Sequence, residues 1–139
     1  MKGLADSDSL ERWWQEHSEL DRLVRGLDAT LARATLEKTL GALEELESVL
    51  DSHFAVEEGV YFPLIEKLSP DHGAIVRAAR DRHVEICKVL DDLRQLVEGG
   101  QLAAARPVLN RLLEHFRVHE EHEAKLVADL EALQQASGY

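Results

Sequence analysis

Apolar residues recur at intervals of three and four along four stretches of the chain, and this spacing limits the fold more than any other feature. It places one face of a helix against a core. The inward positions of the second stretch are Leu43, Leu46, Leu50, His53, Glu57, Tyr61, Leu64 and Leu68. Burying an imidazole or a carboxylate costs free energy unless a partner satisfies its polar atoms. The core around His53 and Glu57 must therefore contain a polar partner.

Breaks between the stretches predict where the first two helices begin and end. Ser7 or Ser9 caps the first helix, which extends to about Ala34. Thr35 caps the second helix. This helix continues through residue 68, because its stripe of inward-facing residues keeps the same spacing beyond Pro63. A proline inside a helix bends it, since it donates no hydrogen bond and its ring crowds the preceding turn.

One helix-start signal and one helix-end signal define the other two helices. Residues 69–71 read Ser-Pro-Asp, which combines a cap, a proline suited to the first helical position and an acid in the first turn. The third helix ends at the glycines 99 and 100, and the fourth begins near Gln101 or after Pro107. Short connections favour antiparallel neighbours, so we predict an all-α, up-down-up-down four-helix bundle.

Composition and charge exclude several classes of function. The chain has 139 residues, 45% apolar and 31% charged, with three prolines, which suits one helical domain over residues 1–139. A net charge of −11 disfavours nucleic acid and anionic membranes as partners. The sequence has no signal-peptide core and no apolar run of the roughly 20 residues that span a membrane, so we expect a cytoplasmic protein. Cys87 is the single cysteine, which excludes an internal disulfide.

A shift of 66 residues superimposes the first pair of helices on the second. The apolar stripes of any two helical pairs would align in this way. The polar residues that interrupt those stripes would not. Here the polar interruptions obey the same shift. The pairs are His17 with His83, His53 with His119 and Glu57 with Glu123.

Counting residues to each turn places these six groups at one level of the bundle. Histidines of neighbouring helices differ by two residues in this count, which is roughly 3 Å along a helix. Imidazole with carboxylate suits iron, manganese or zinc, and six ligands are too many for one tetrahedral zinc ion. The sequence thus favours two metal ions bridged by Glu57 and Glu123, with two histidines on each. The alternative is a core of paired histidines and glutamates without metal.

Four motifs resemble those of the hemerythrin-like, or HHE cation-binding, family. They are EHSEL around His17, HFAVEEGVYFPLIEKL from His53 to Leu68, RHVEI around His83 and HEEHEAKL from His119 to Leu126. The second is the most specific, since a histidine and phenylalanine, a double acid and then an aromatic residue with proline are typical of that family's second helix. The resemblance implies an antiparallel four-helix bundle around a non-haem di-iron centre, with oxygen, nitric oxide or peroxide as its usual small ligands.

The resemblance also assigns roles to individual residues. The family's terminal ligands match His17, His53, His83 and His119, and its bridging carboxylates match Glu57 and Glu123. Oxygen-carrying hemerythrins have a histidine where this chain has Cys87, and an aspartate where it has Ala124 beside Glu123. These differences weaken reversible oxygen carriage. The ligand set is more similar to that of four-histidine, two-glutamate members, which resemble iron-handling, nitric-oxide-response and iron–sulfur repair proteins.

We therefore expect a protein with two iron ions that binds or reacts with dioxygen, nitric oxide or peroxide. The alternative is an iron or oxygen sensor, store or carrier without catalytic turnover, because the same ligands would serve it. His115, one turn before His119, is an additional candidate ligand. Cys87 is expected to be a small core residue rather than a nucleophile, and Trp13 and Tyr61 are expected to pack in the core.

Overall fold

The computed structural model describes residues 7–33 and 35–137, which are almost entirely helical and, over these residues, contain no strand. The α-helical segments are α1 Ser7–Arg33, α2 Leu36–Val56, α3 Phe62–Leu68, α4 Gly73–Glu98 and α5 Leu102–Ser137. A π-helical turn, Glu57–Tyr61, joins α2 to α3 as one continuous second helix. The predicted all-α bundle with four helices is confirmed. The expected helix end at Ala34 and the side chains of Ser7 and Ser9 lie outside the described residues.

The turns follow the signals in the sequence. Thr35 Oγ1 accepts a hydrogen bond of 3.2 Å from the Lys38 N–H, so Thr35 caps α2 as expected. Gly100 has a φ of +72°, a left-handed conformation that suits glycine, and follows the end of α4. The last helix begins at Leu102, the earlier of its two predicted starts, and Pro107 lies inside it.

The chain after α3 does not begin its next helix with the expected Ser69 cap. A short 3-10 turn, Pro70–His72, precedes α4. The Ser69 hydroxyl contacts the ring of His72, at 2.8 Å from Nδ1, instead of a backbone N–H. The other ring nitrogen, Nε2, lies 3.1 Å from Asp129 Oδ2. His72 therefore ties this turn to α5.

The second helix continues past Pro63 as expected, and a π-helical turn precedes the proline. Pro63 has no N–H to donate, and the helix before it widens so that the Phe62 N–H bonds to the Glu57 carbonyl, five residues earlier. The extra residue rotates the helix that follows. Phe62 and Ile65 are consequently fully buried, whereas Leu68, an expected inward position, is only partly buried.

Two apolar clusters form the core. A layer that contains the inward-facing histidines and glutamates, here called the polar level, separates them. One cluster includes Leu20, Leu50, Ile86 and Phe116. The other includes Trp13, Tyr61, Ala79 and Leu126. On every helix, the inward histidine or glutamate lies between members of the two clusters. Because each fully buried leucine or phenylalanine contributes about 1.5–3 kcal/mol, the clusters hold the polar level in the middle of the core.

Ion pairs on the surface join neighbouring helices. Arg94 Nη2 lies 2.6 Å from Glu47 Oε2, and Arg106 pairs with Asp28. Exposed pairs contribute about 0–1 kcal/mol each, so the apolar clusters dominate stability. Across residues 7–33 and 35–137, no helix combines the length and the apolar character needed to cross a lipid bilayer.

Candidate metal centre

The six ionisable side chains of the repeat meet in the middle of the core. Their exposed fractions are 5% for His17, 1% for His53, 0% for Glu57, 3% for His83, 1% for His119 and 0% for Glu123. Glutamate in particular is almost never this buried unless it is paired. The structure therefore brings together all six residues that the sequence singled out.

These residues form two overlapping sets of potential ligands. One set is His17, His53, Glu57 and Glu123, and the other is Glu57, His83, His119 and Glu123. In each set, one nitrogen or oxygen atom from every residue lies within 4.8 Å of those from the others. Both glutamates belong to both sets, whereas each histidine belongs to one. Each set could hold a metal ion.

The two carboxylates lie between the two pairs of histidines. The shortest distances from Nε2 to a carboxylate are 2.7 Å from His17 and 2.5 Å from His119 to Glu123 Oε1, 3.1 Å from His83 to Glu57 Oε1, and 3.4 Å from His53 to Glu57 Oε2. Each glutamate, Glu57 and Glu123, thus contacts one histidine from the first set and one from the second. This is the placement that a bridging carboxylate requires.

Burial and neighbouring rings determine the protonation of the site. Burial, with a smaller effect from the His53 ring, lowers the pKa of His17 to about 4. Burial likewise lowers the pKa of His119 to about 3. Burial alone would raise the pKa of Glu57, but the adjacent rings of His53 and His83 lower it to about 2. At pH 7 both lowered histidines are therefore neutral and Glu57 is ionised, which are the forms that bind metal.

Several buried polar atoms at this level lie close to one another but make no contact with hydrogen-bond geometry among the described residues. They are His53 Nε2, both ring nitrogens of His83 and of His119, Glu57 Oε1 and Glu123 Oε2. Each buried polar group left unsatisfied costs about 1–3 kcal/mol. One or more cations would satisfy these converging atoms together, and imidazole with carboxylate suits iron, manganese or zinc. The residues present therefore fit a metal centre.

Other side chains orient the candidate ligands. Glu16 Oε2 lies 2.9 Å from His53 Nδ1, and Glu58 Oε1 lies 3.6 Å from His83 Nδ1. A carboxylate beside Nδ1 favours the tautomer whose Nε2 lone pair faces the centre. The Phe54 ring stacks on the His83 ring with the centroids 3.6 Å apart, which restricts the rotation of that imidazole.

The sequence pattern does not single out these supporting residues, because none lies on an inward stripe. Height along the helix is the one signal that identifies a partner. Glu16 and His53 lie 18 and 19 residues from position 34, so counting from the first turn brings them to the same level. No comparable count selects Phe54 over its neighbours, since the stacking depends on how the helix is rotated.

The two halves of the 66-residue repeat differ in the residues that hold Glu57 and Glu123 in place. Trp13 corresponds to Ala79 under this shift. Trp13 is fully buried, as expected, and its ring also stacks on Tyr61 with the centroids 4.4 Å apart. Its Nε1 donates a hydrogen bond of 2.7 Å to Glu57 Oε2, whereas Glu123 Oε2 has no such partner among the described residues. The two carboxylates are therefore held differently.

Two further histidines, His115 and His122, and the cysteine lie outside the two sets. His115, the additional candidate, is half-buried and belongs to neither set. His122 is exposed, and its Nδ1 lies 3.1 Å from Arg82 Nη2. Cys87 is exposed, so its expected place in the core was wrong. The buried face of α4 is centred near Ile86, which leaves position 87 on its flank.

Comparison with known proteins identifies the family. No curated protein and no solved structure matches the chain. The family model described as the hemerythrin HHE cation-binding domain matches residues 8–130, a range that contains all six residues of the two sets. A cation-binding family agrees with a core that could hold metal. The chain belongs to the hemerythrin HHE cation-binding domain family.

Proposed function

We propose that this chain is a non-haem di-iron protein that binds or reacts with dioxygen, nitric oxide or peroxide. The proposed ligands are His17 and His53 for one ion, His83 and His119 for the other, and Glu57 and Glu123 as shared carboxylates. One observation carries the proposal. Each glutamate belongs to both ligand sets, and each histidine belongs to one, which is the pattern expected of two adjacent cations joined by carboxylates.

The number of ligands supports two ions over a single zinc ion. Six protein ligands exceed the four of a structural zinc site and the three of a catalytic one. Carboxylate and imidazole donors without a thiolate also suit iron and manganese, and Cys87 is exposed and belongs to neither set. Membership of the family adds weight to iron, because the resemblance implies a di-iron centre.

Two histidines and two shared carboxylates give each ion four protein donors, fewer than the six of an octahedral site. When bound, an iron pair supplies redox electrons and open positions for a small ligand. The chain supplies the surroundings. Leu20, Leu50 and Ile86 exclude water from one side, and Glu16 and Glu58 orient the imidazoles that lie beside them.

We also infer an antiparallel arrangement within a single domain over residues 1–139. Side-chain contacts support it, because residue numbers rise on one helix as they fall on its neighbour. The contacts are Trp13 with Glu57 and Glu16 with His53, Glu47 with Arg94 and Glu66 with Arg80, and His72 with Asp129 and Arg82 with His122. All the helices contribute to the same core, which supports one domain.

Metal analysis of iron-loaded protein tests the proposal. We expect two irons per chain and the near-ultraviolet charge-transfer absorption of a coupled ferric pair. Glu123→Gln should lower the iron content to one ion or fewer, since it removes a shared ligand. The control Glu44→Gln removes an exposed carboxylate of α2 and should retain both ions. One iron or fewer in the unaltered protein, or no such absorption, contradicts the proposal.

A further inference from the structure

A cleft between the second helix and α4 leads from the surface towards the candidate metal centre. Its volume is about 380 Å³. The residues that line it are Asp51, Phe54, Ala55 and Glu58 from the second helix, and His83, Val84 and Cys87 from α4. Of these, His83 is one of the proposed metal ligands. The cleft is therefore in contact with the centre through one side chain.

The imidazole of His83 forms the inner wall of the cleft. It is 3% exposed, and neither of its nitrogens makes a contact with hydrogen-bond geometry among the described residues. Nδ1 lies 3.6 Å from Glu58 Oε1, which lines the cleft, and Nε2 lies 3.1 Å from Glu57 Oε1, which belongs to the centre. The ring of His83 thus has one nitrogen beside the cleft and the other beside the candidate metal centre.

The mouth of the cleft is acidic. Asp51 is exposed and Glu58 is 42% exposed, and the lining set includes neither lysine nor arginine. Partial shielding from water by the walls of the cleft raises the pKa of the Cys87 thiol, and the negative charges of Asp51 and Glu58 raise it further. The thiol is therefore neutral at pH 7, and the potential inside the cleft is negative. A negative cleft concentrates cations.

We propose that this cleft is the loading route for the metal, where Asp51 and Glu58 bind a hydrated divalent cation before it passes His83 to the buried ligands. The proposal rests on the di-iron function proposed above. The six ligands are at most 5% exposed, so a hydrated cation cannot reach them directly from bulk water. Carboxylates suit this first step because they bind hard, hydrated cations weakly and release them.

A simpler role for Glu58 is to orient His83 only. The two roles predict different kinetics. A residue that acts on the route changes the rates of metal uptake and release together, because it leaves the final bound state unchanged. A residue that only orients a ligand changes the affinity, mainly through faster release. Asp51 separates the roles further, since it lines the cleft without a close contact to His83 among the described interactions.

The test measures metal uptake by full-length protein from which metal has been removed with a chelator. Cobalt(II) is the probe because its bound form absorbs visible light. We expect Asp51→Asn/Glu58→Gln to slow uptake about tenfold at low ionic strength, within the range of electrostatic steering. Salt should slow uptake by the unaltered protein and have little effect on the double variant. In Asp51→Asn alone, which leaves His83 and its neighbour Glu58 intact, release of cobalt to a chelator should slow by the same factor as uptake, and the final stoichiometry should remain two.

The control Glu44→Gln/Glu131→Gln removes the same charge at exposed sites outside the cleft. It should load at nearly the rate of the unaltered protein. A steric variant, Ala55→Trp, narrows the cleft without changing charge and should also slow uptake, with helicity checked by circular dichroism.

Unchanged uptake in the double variant and in Ala55→Trp, with two ions bound, overturns the loading route and leaves the di-iron function standing. Faster release with unchanged uptake assigns Glu58 to orientation and also overturns the route. Failure of the unaltered protein to bind two ions overturns the function itself, and the loading route with it.

Discussion

The indole Nε1 of Trp13 donates a hydrogen bond of 2.7 Å to Glu57 Oε2, and both residues are 0% exposed. The bond fixes one oxygen of a shared carboxylate while the other, Oε1, faces His83. Ala79 occupies the corresponding position in the second half of the repeat. Of the two proposed shared carboxylates, Glu57 is therefore the one that an indole hydrogen bond restrains, and we assign Trp13 as its positioning residue.

Removing this donor should weaken metal binding. Trp13→Phe keeps an aromatic ring in the core but leaves Glu57 Oε2 without the indole hydrogen bond. Loss of an outer partner of a ligand typically costs about 10–100-fold in metal affinity, and we expect a loss in that range. Competition with a coloured chelator measures it.

The control for Trp13→Phe is Leu130→Ala in the same apolar cluster. It should lower the free energy of unfolding by about 2–5 kcal/mol with little effect on metal affinity. Equal affinity losses in both variants would mean that Trp13 acts through packing and not through its hydrogen bond.

Replacing a proposed ligand should separate metal binding from stability. His119 is 1% exposed, and although its Nε2 lies 2.5 Å from Glu123 Oε1, neither of its nitrogens makes a contact with hydrogen-bond geometry among the described residues. His119→Leu should therefore raise the unfolding free energy of the metal-free protein by about 1 kcal/mol while lowering metal affinity. Urea denaturation after chelation measures the first effect, and metal titration measures the second.

The opposite result for His119→Leu would favour a structural core. If the imidazoles and carboxylates serve only to pair with each other, the variant should lose about 2 kcal/mol or more in the metal-free protein. Chelation would then also have little effect on the stability of the unaltered chain.

Acid should destabilise the metal-free protein. The pKa values of His17 and His119 are lowered to about 4 and about 3 from 6.5, so the unfolded chain binds protons that the folded chain does not as the pH falls below about 6.5. The lowered pKa of Glu57, about 2, acts in the same direction at lower pH. His53 acts in the opposite direction, because its pKa is raised and its contribution is lost as the pH rises.

The net effect of these groups is a fall in unfolding free energy between about pH 6.5 and 3. Urea denaturation of chelated protein at pH 7, 6 and 5 measures the slope. His17→Leu/His119→Leu should flatten it. A stability that rises towards pH 5 in the unaltered chain would show that protonation of His53 dominates.

Much of this centre follows from the spacing of residues along the chain. The 66-residue repeat by itself selects His17, His83 and their partners, because polar residues that interrupt an apolar stripe are costly to bury, and three pairs of them would not align by chance. The π-helical turn is different. Its extra residue moves Phe62 and Ile65 to the inward face, and a regular helical period cannot anticipate that shift.

Contacts between helices are harder to derive from sequence than the stripes. Trp13 was expected to pack, but its hydrogen bond to Glu57 depends on the rotation of two helices about their axes. Cys87 is exposed because it follows Ile86, near the centre of the buried face of α4, and successive helical residues turn by about 100°. Small differences in rotation separate a core residue from one that lines a cleft.

Turnover distinguishes a reactive centre from a sensor or a store. A reactive di-iron protein should consume many equivalents of peroxide or nitric oxide per chain when a reductant is supplied. A sensor, store or carrier should bind its ligand and stop at about one equivalent. His53→Leu is the control, because it removes a proposed ligand and should abolish both responses.

Diffraction from crystals of iron-loaded protein, recorded on both sides of the iron absorption edge, tests the central claim most directly. We predict two anomalous peaks, one beside His17 and His53 and the other beside His83 and His119, with both glutamates between them. A single peak, or peaks away from these side chains, would contradict a shared di-iron centre.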